Sequence, residues 1–213
     1  SSLIMSNGEY GDPDWYGLQK KNFRHILCTD GAAAKARELG IIPDAIIGDM
    51  DSIHEEDLFF MEQSGVKIYL HSPEKDFTDT FLALRQAEEY QLKDITIWGG
   101  TGGRLDHTLS NIYCGAELAL KGKKVWHYTV NYSAYLVNKK ITISGEAGDI
   151  VSVLVLTDQA QGVYEEGFEY PLKNVILEKW NPYAISNVLA TNEGVITVRE
   201  GLLLVIHYHG KLI

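Results

Sequence analysis

The chain has 213 residues, enough for one large or two small domains that each bury a core. Nineteen Lys and Arg against 29 Asp and Glu leave a net charge of −10, which excludes the broad basic surface that duplex nucleic acid requires. Apolar residues make up 45% of the chain, and no run approaches the ~20 apolar residues of a membrane span.

The N-terminal stretch Ser1-Ser-Leu-Ile-Met-Ser-Asn-Gly8 has too short an apolar run for a secretory signal, so a soluble, cytoplasmic protein is expected. From about residue 24 to 120, short apolar runs alternate with helical spacing, the pattern of parallel α/β units. His25-Ile-Leu-Cys28 predicts a strand, followed by a turn at Asp30-Gly31 and an Ala-rich helix that ends near Leu39 with Gly40 as its stop. Ala45-Ile-Ile47 and residues 66–70 predict the next strands. Residues 77–90 then place Phe77, Phe81, Leu84 and Glu88 in helical spacing, with Leu82 and Ala87 widening the face. After a strand at 94–98 and a glycine cluster, Leu105, Leu109, Ile112, Ala116 and Leu120 mark one face of a further helix.

Beyond Lys121 the helical period disappears. Short β-rich runs at 125–130, 141–143, 151–156, 175–177, 195–198 and 202–208 are separated by turns such as Gly145-Glu-Ala-Gly148, the spacing of a β-sandwich or barrel. The fold expected is therefore an N-terminal parallel-sheet α/β domain over 1–129 and a C-terminal β-sandwich domain over 130–213. Cys28 and Cys114 lie far apart in apolar-patterned segments and predict buried thiols, with no disulfide framework.

Three clusters carry chemistry. Gly48-Asp49-Met50-Asp51-Ser52 follows a strand, where open α/β sheets bind ligands. If the strand runs on, both carboxylates point to one face, and their repulsion calls for a divalent cation, with oxygen-only ligands favouring Mg²⁺. Lys75-Asp76-Phe77-Thr78-Asp79 stands at a helix entrance. Asp76 or Thr78 can cap that helix, Asp79 suits the positive end of its dipole, and Lys75 can meet a phosphate oxygen. In Gly99-Gly100-Thr101-Gly102-Gly103-Arg104-Leu105-Asp106-His107, four glycines between a strand and a helix allow an anion nest, to which Arg104 adds a bidentate donor. The segment is neither a Walker A loop nor a dinucleotide loop, since Arg104 and Leu105 stand where those patterns need glycine. His207 and His209 share a strand face without a third zinc ligand nearby, and Trp15, Trp98, Trp126 and Trp180 are expected to be packing residues.

Taken together, these motifs resemble the thiamine pyrophosphokinase family: Asp30-Gly31-Ala32, Pro43-Asp44 before the acidic turn, the Lys75 to Asp79 segment, and Gly102 to His107 with Asn111 following. Gly167-Phe-Glu-Tyr170-Pro-Leu172 and Ile185-Ser186-Asn187 resemble the family's thiamine segments. The chain departs from the family pattern at Ala32, usually a second glycine, and at Tyr170, where many eukaryotic members carry Trp. The resemblance implies transfer of pyrophosphate from ATP to the hydroxyl of thiamine, releasing AMP, by a homodimer with thiamine at the subunit interface. It assigns metal binding to Asp49, Asp51 and Asp79, and catalysis to these with Asp76 and Arg104. Asp30, Gly31, Lys75, Thr78, Thr101, Gly102, Gly103, Arg104, Asp106 and His107 would meet the nucleotide. Tyr170 would stack on thiamine, with Ser186 and Asn187 near its pyrimidine. Two other readings compete: an aspartyl-phosphate hydrolase, whose nucleophile loop also has the Asp-x-Asp form, and a non-catalytic nucleotide or thiamine sensor.

Overall fold

The short apolar run at the N-terminus is a strand, β1 (Ser2–Met5), buried along its whole length. The computed structural model describes residues 1–72 and 77–210. In it the chain divides into a unit of Ser1–Gly115 with His127–Val130 and a unit of Ala116–Trp126 with Asn131–Ile213.

In the first unit β1 pairs in parallel with β2 (His25–Thr29) and β5 (Asp94–Trp98), and β3 (Ala45–Gly48) lies between β2 and β4 (Lys67–Leu70). Met5 is level with both Cys28 and Trp98, and Thr29 with Ile47. The loops that leave β1, β2, β3 and β5 therefore start at one height, and that edge carries the site.

Helix α1 (Pro13–Gln19) has Pro at its start and Asp12 accepting from the Asp14 N–H. Residues 30–32 form a 3₁₀ turn into α2 (Ala33–Glu38), which ends where Gly40 takes a left-handed φ of 62°. The Lys20 ammonium donates to the free carbonyls of Leu39 and Gly40 there, at 2.8 and 3.3 Å. Helix α3 (Glu55–Gln63) buries only Asp57 and Met61, too few inward residues to leave an apolar period in the sequence. Helix α4 (Asp79–Glu89) is capped by Thr78, whose hydroxyl accepts from the Phe81 N–H at 3.2 Å. Ala83, Leu84 and Ala87 turn inward, while Phe77 lies ahead of the helix, exposed and stacked on Phe81.

Helix α5 (Leu105–Leu120) corrects the expected face. Leu105, Leu109 and Leu120 are exposed, and Asn111, Ile112, Leu118 and Ala119 are buried. The Asn111 amide donates to the buried Gly100 carbonyl at 2.7 Å, so a polar contact with the glycine loop sets the rotation of the helix against its apolar stripe. The next strand is β6 (Lys124–Tyr128).

The second unit has two antiparallel sheets. One runs β7 (Tyr132–Val137), β14 (Leu203–Tyr208), β9 (Ile150–Val155), β12 (Asn187–Val188). The other runs β8 (Lys140–Ser144), β13 (Glu193–Thr197), β10 (Gln159–Glu166), β11 (Leu172–Glu178). Val153, Leu203 and Val205 of the first sheet and Ala160, Val163, Leu177 and Ile196 of the second share one core, as a sandwich requires.

The two histidines are separately engaged, which removes the zinc option. His207 Nε2 lies 2.8 Å from Asp149, and His209 Nε2 lies 2.7 Å from the Ser133 hydroxyl. Among the tryptophans, Trp98 is buried and Trp15 and Trp126 pack on Tyr128 and Tyr135, but Trp180 is 85% exposed, against expectation. Cys28 is buried and Cys114 half-buried, and neither is in a disulfide.

Asp149 also accepts the N–H groups of Glu146 and Gly210 at 3.0 and 3.2 Å. Burial raises its pKa, but these bonds and His207 outweigh that and leave it below 3.8. Its stabilisation is therefore full above that ordinary value and is lost as pH falls through the folded value. Asp149→Ala should cost about 3 kcal/mol at neutral pH, read by urea denaturation, because it strands the buried His207 imidazole and removes the acceptor of two part-buried N–H groups.

Candidate active site at the carboxyl ends of the parallel strands

β2 and β3 deliver the acids. Asp30, directly after β2, is almost wholly buried, and its carboxylate accepts the N–H of Gly31 at 2.6 Å and of Met50 at 3.1 Å. Gly48 packs on it so closely that a Cβ there would lie 2.6 Å from the Asp30 carboxyl carbon. The condition that the strand runs on is not met: it stops at Gly48, and Met50 takes a left-handed φ of 66°. Asp49 then accepts the Asp51 N–H at 3.1 Å, so a tight turn rather than strand alternation brings the two carboxylates together. Asp30, Asp49 and Asp51 hold carboxylate oxygens within 4.8 Å of one another.

Asp79, the first residue of α4, hydrogen-bonds to Asp30; burial foremost, then the charges of Asp30, Asp49 and Asp51, push its pKa up to about 6. Burial likewise raises Asp30, with Asp49 and Asp51 adding to it. Crowded carboxylates with an all-oxygen donor set are what a hard divalent cation such as Mg²⁺ fits. Lys75 and Asp76 lie outside the described residues, and Thr78 is used as the helix cap.

The loop after β5 is held by a segment that the sequence did not single out. Ser6 and Gly8 donate their N–H groups to the carbonyls of Trp98 and Gly99, both at 2.8 Å. Gly99 takes a left-handed φ of 63° there. On its other side the same segment reaches the acids: Asn7 lies against Gly31, where a Cβ would meet the Asn7 amide, and the Ser6 hydroxyl bonds that of Thr80 on α4 at 2.9 Å. Residues 6–9 thus tie the acidic cluster to the glycine loop. The signal available was the Asn7-Gly8 pair directly after an apolar run.

The N–H groups of Gly102 and Gly103 are the expected anion donors. Here they meet the Thr108 hydroxyl at 3.1 Å and the Glu9 carboxylate at 2.8 Å, so a protein carboxylate holds the place of an anion. Arg104 is exposed and forms a bidentate pair with Asp106, which holds the Asp106 carboxyl down at about 2. Thr101 is buried in the loop and His107 faces solvent. Beneath the loop, His127 is buried with neither ring nitrogen hydrogen-bonded, and a Cβ on Gly100 would lie 2.7 Å from its Nδ1. Burial alone lowers this imidazole to about 4, so it is a neutral floor to the loop.

In the second unit Tyr170 is 67% exposed, and Ser186 is exposed in a left-handed conformation with φ of 60°. Asn187 is buried, and its amide is spent on Tyr170, Val188 and Glu165, a residue that the sequence reading missed.

Because Asp79 titrates near 6 in the fold against 3.8, the acid-form stability is full below 3.8 and lost as pH rises through 6. With cations chelated at pH 8, Asp79→Asn should therefore raise stability by about 1 kcal/mol after allowance for solvent screening, or about 2–4 °C in Tm. At pH 4 the two proteins should melt together in a thermal scan.

Comparison with known proteins agrees with this geometry. The sequence profile described as thiamin pyrophosphokinase, catalytic domain, matches residues 17–127, and that of the thiamin pyrophosphokinase vitamin B1 binding domain matches 138–203. The chain is 32% identical over 189 residues to the thiamine pyrophosphokinase of Bacillus subtilis, covering 84% of each. The crystal structure of thiamine pyrophosphokinase from B. subtilis superposes with a TM-score of 0.85 at 26% identity over 99% of both chains. That of thiamin pyrophosphokinase from Geobacillus thermodenitrificans gives 0.81 at 26% identity, over 99% and 98%. The α/β unit with the acidic cluster and the β-sandwich with the exposed tyrosine both find their counterparts here, and the chain belongs to the thiamin pyrophosphokinase family.

Proposed function

We propose that this protein transfers the pyrophosphoryl group of ATP to the hydroxyethyl oxygen of thiamine, giving thiamine diphosphate and AMP. The observation that carries the reading is the convergence of Asp30, Asp49, Asp51 and Asp79 at the strand edge that also bears the glycine loop. Transfer of a phosphoryl group needs charge neutralisation and alignment more than covalent chemistry, and this edge offers both.

Residues 1–129 form the catalytic, Mg-ATP-binding domain and 130–213 the thiamine-binding domain. Asp49, Asp51 and Asp79, together with Asp30, would hold Mg²⁺, which would supply charge neutralisation to the triphosphate. The N–H groups of Gly102 and Gly103 turn to phosphate oxygens when Glu9 and Thr108 yield them, and Arg104 exchanges Asp106 for a phosphate. By resemblance, Gly31, Lys75, Thr78, Thr101, Asp106 and His107 complete the nucleotide site, and Asp76 shares the catalytic role of Asp79. Tyr170 offers its exposed ring to the thiazolium or pyrimidine, with Ser186 beside it, and the overall negative charge suits a cationic substrate. The family resemblance also carries a homodimer with thiamine at the subunit interface and a cytoplasmic location. Among the described residues no helix is long and apolar enough to cross a membrane.

Incubation with thiamine, ATP and Mg²⁺ should yield thiamine diphosphate and AMP in equal amounts by chromatography, and EDTA should abolish both. Asp49→Asn should lower kcat by about 10²-fold or more with the fold intact by circular dichroism, since one charge-stabilising contact is removed. ADP with thiamine monophosphate, or phosphate released from simple esters without ATP, would overturn the assigned reaction.

A further inference from the structure

The second unit contains a carboxylate that its core does not explain. Glu165 points inward from β10, level with Leu172 on β11 and Ile196 on β13, and is only 1% exposed. Its Oε1 has no hydrogen-bond partner, and its Oε2 has one: the Asn187 amide, which donates at 2.6 Å. Burying such a group costs folding free energy, and a leucine of similar size would be cheaper.

Asn187 shows what the carboxylate orients. Its Oδ1 accepts the N–H groups of Tyr170 at 3.1 Å and Val188 at 2.9 Å, and its Nδ2 donates to the Tyr170 carbonyl at 2.9 Å as well as to Glu165. Both backbone groups of Tyr170 are thus held by one side chain. Rotating that amide by half a turn would set donor against donor at Tyr170 and Val188, and oxygen against oxygen at Tyr170 and Glu165. Only one orientation satisfies all four contacts. The neighbouring backbone is tied as well, through Glu169 N–H to the Val188 carbonyl and Ala190 N–H to that of Gly167. The Tyr170 ring itself stands in solvent.

We propose that Glu165 is a positioning residue for thiamine recognition: by orienting the Asn187 amide, it fixes the backbone of Tyr170 and so the aim of its exposed ring. The inference rests on the thiamine pyrophosphokinase reading for the ligand, and on the hydrogen bonds alone for the linkage. Burial pushes the Glu165 carboxyl up to about 7, with the Asn187 bond acting against it. Either protonation state leaves an oxygen able to accept from Nδ2.

The test uses the full chain with Mg²⁺ and ATP. Glu165→Leu, or the more pliant Glu165→Met if leucine does not fold, removes the acceptor, and Glu165→Gln keeps it. Loss of the acceptor should raise the KM for thiamine about tenfold, leave the KM for ATP and kcat within about twofold, and speed amide exchange at Tyr170 about tenfold by NMR. Glu165→Gln should return all of these to within about threefold of the parent protein. On a Tyr170→Ala background the loss should shrink to about twofold or less, because the side chain that Glu165 aims is gone. An unchanged thiamine KM, a full tenfold loss added to that of Tyr170→Ala, or folding of Glu165→Gln alone would overturn the proposal and leave Glu165 a structural residue. If the parent protein does not turn over thiamine, the functional reading fails, and exchange at Tyr170 still decides whether Glu165 controls this loop.

Discussion

Four carboxylates gathered at the ends of two parallel strands repel one another, and the first unit is organised around bearing that repulsion. Asp30 is the fixed point. It is buried yet has backbone N–H donors on both oxygens, which lets a charge sit where desolvation alone would forbid it. Those donors come from the chain that carries Asp49 and Asp51 as well as from its own turn, so the acid on β2 also shapes the acidic turn after β3. Gly48 follows from the same contact, since no side chain fits against the Asp30 carboxyl. The left-handed Met50 marks where strain is held for the sake of the site.

Much of this was legible in the residues. Asp-x-Asp after a strand, a threonine before a helix and glycines between strand and helix each carry a local physical reason, and each stands near the place expected. Geometry that depends on non-local contact was not legible. The turn that brings Asp49 to Asp51 needs Asp30, 19 positions before Asp49, to hold Met50. The segment 6–9 was not singled out because the four-residue strand before it has too few positions to show a period. It becomes central through partners at Trp98, Gly99, Gly31 and Thr80, all distant in sequence.

The α5 face is the clearest case of a pattern overruled. Spacings of three and four along Leu105, Leu109, Ile112, Ala116 and Leu120 describe a real apolar stripe, but the helix turns by the amount that lets Asn111 reach Gly100 and leaves the three leucines exposed. Leaving that buried carbonyl unpaired would cost about 1–3 kcal/mol, comparable with what one leucine gains on burial. In the sandwich the strand β10 was missed because its inward positions include Gly162 and Glu165, which no apolar alternation would admit.

The buried acids sort by what surrounds them. Asp149 has donors on both oxygens and an imidazole beside it; its pKa falls, and it behaves as a structural joint that is complete without a ligand. Asp30, Asp79 and Glu165 are displaced the other way, each by burial first. Folding optimised for stability alone would not keep three acids in that state, so an upward shift marks groups held for something outside the fold's own needs. Asp30 and Asp79 stand against other carboxylates, a repulsion that the proposed cation would offset. For Glu165 the neighbour is an amide whose remaining bonds go to both backbone groups of Tyr170 and to the Val188 N–H, so the same electrostatic cost is spent on direction rather than on charge. On the proposed function, a bound cation accounts for the acids of the α/β unit, and the aim of a single aromatic ring for the one in the sandwich.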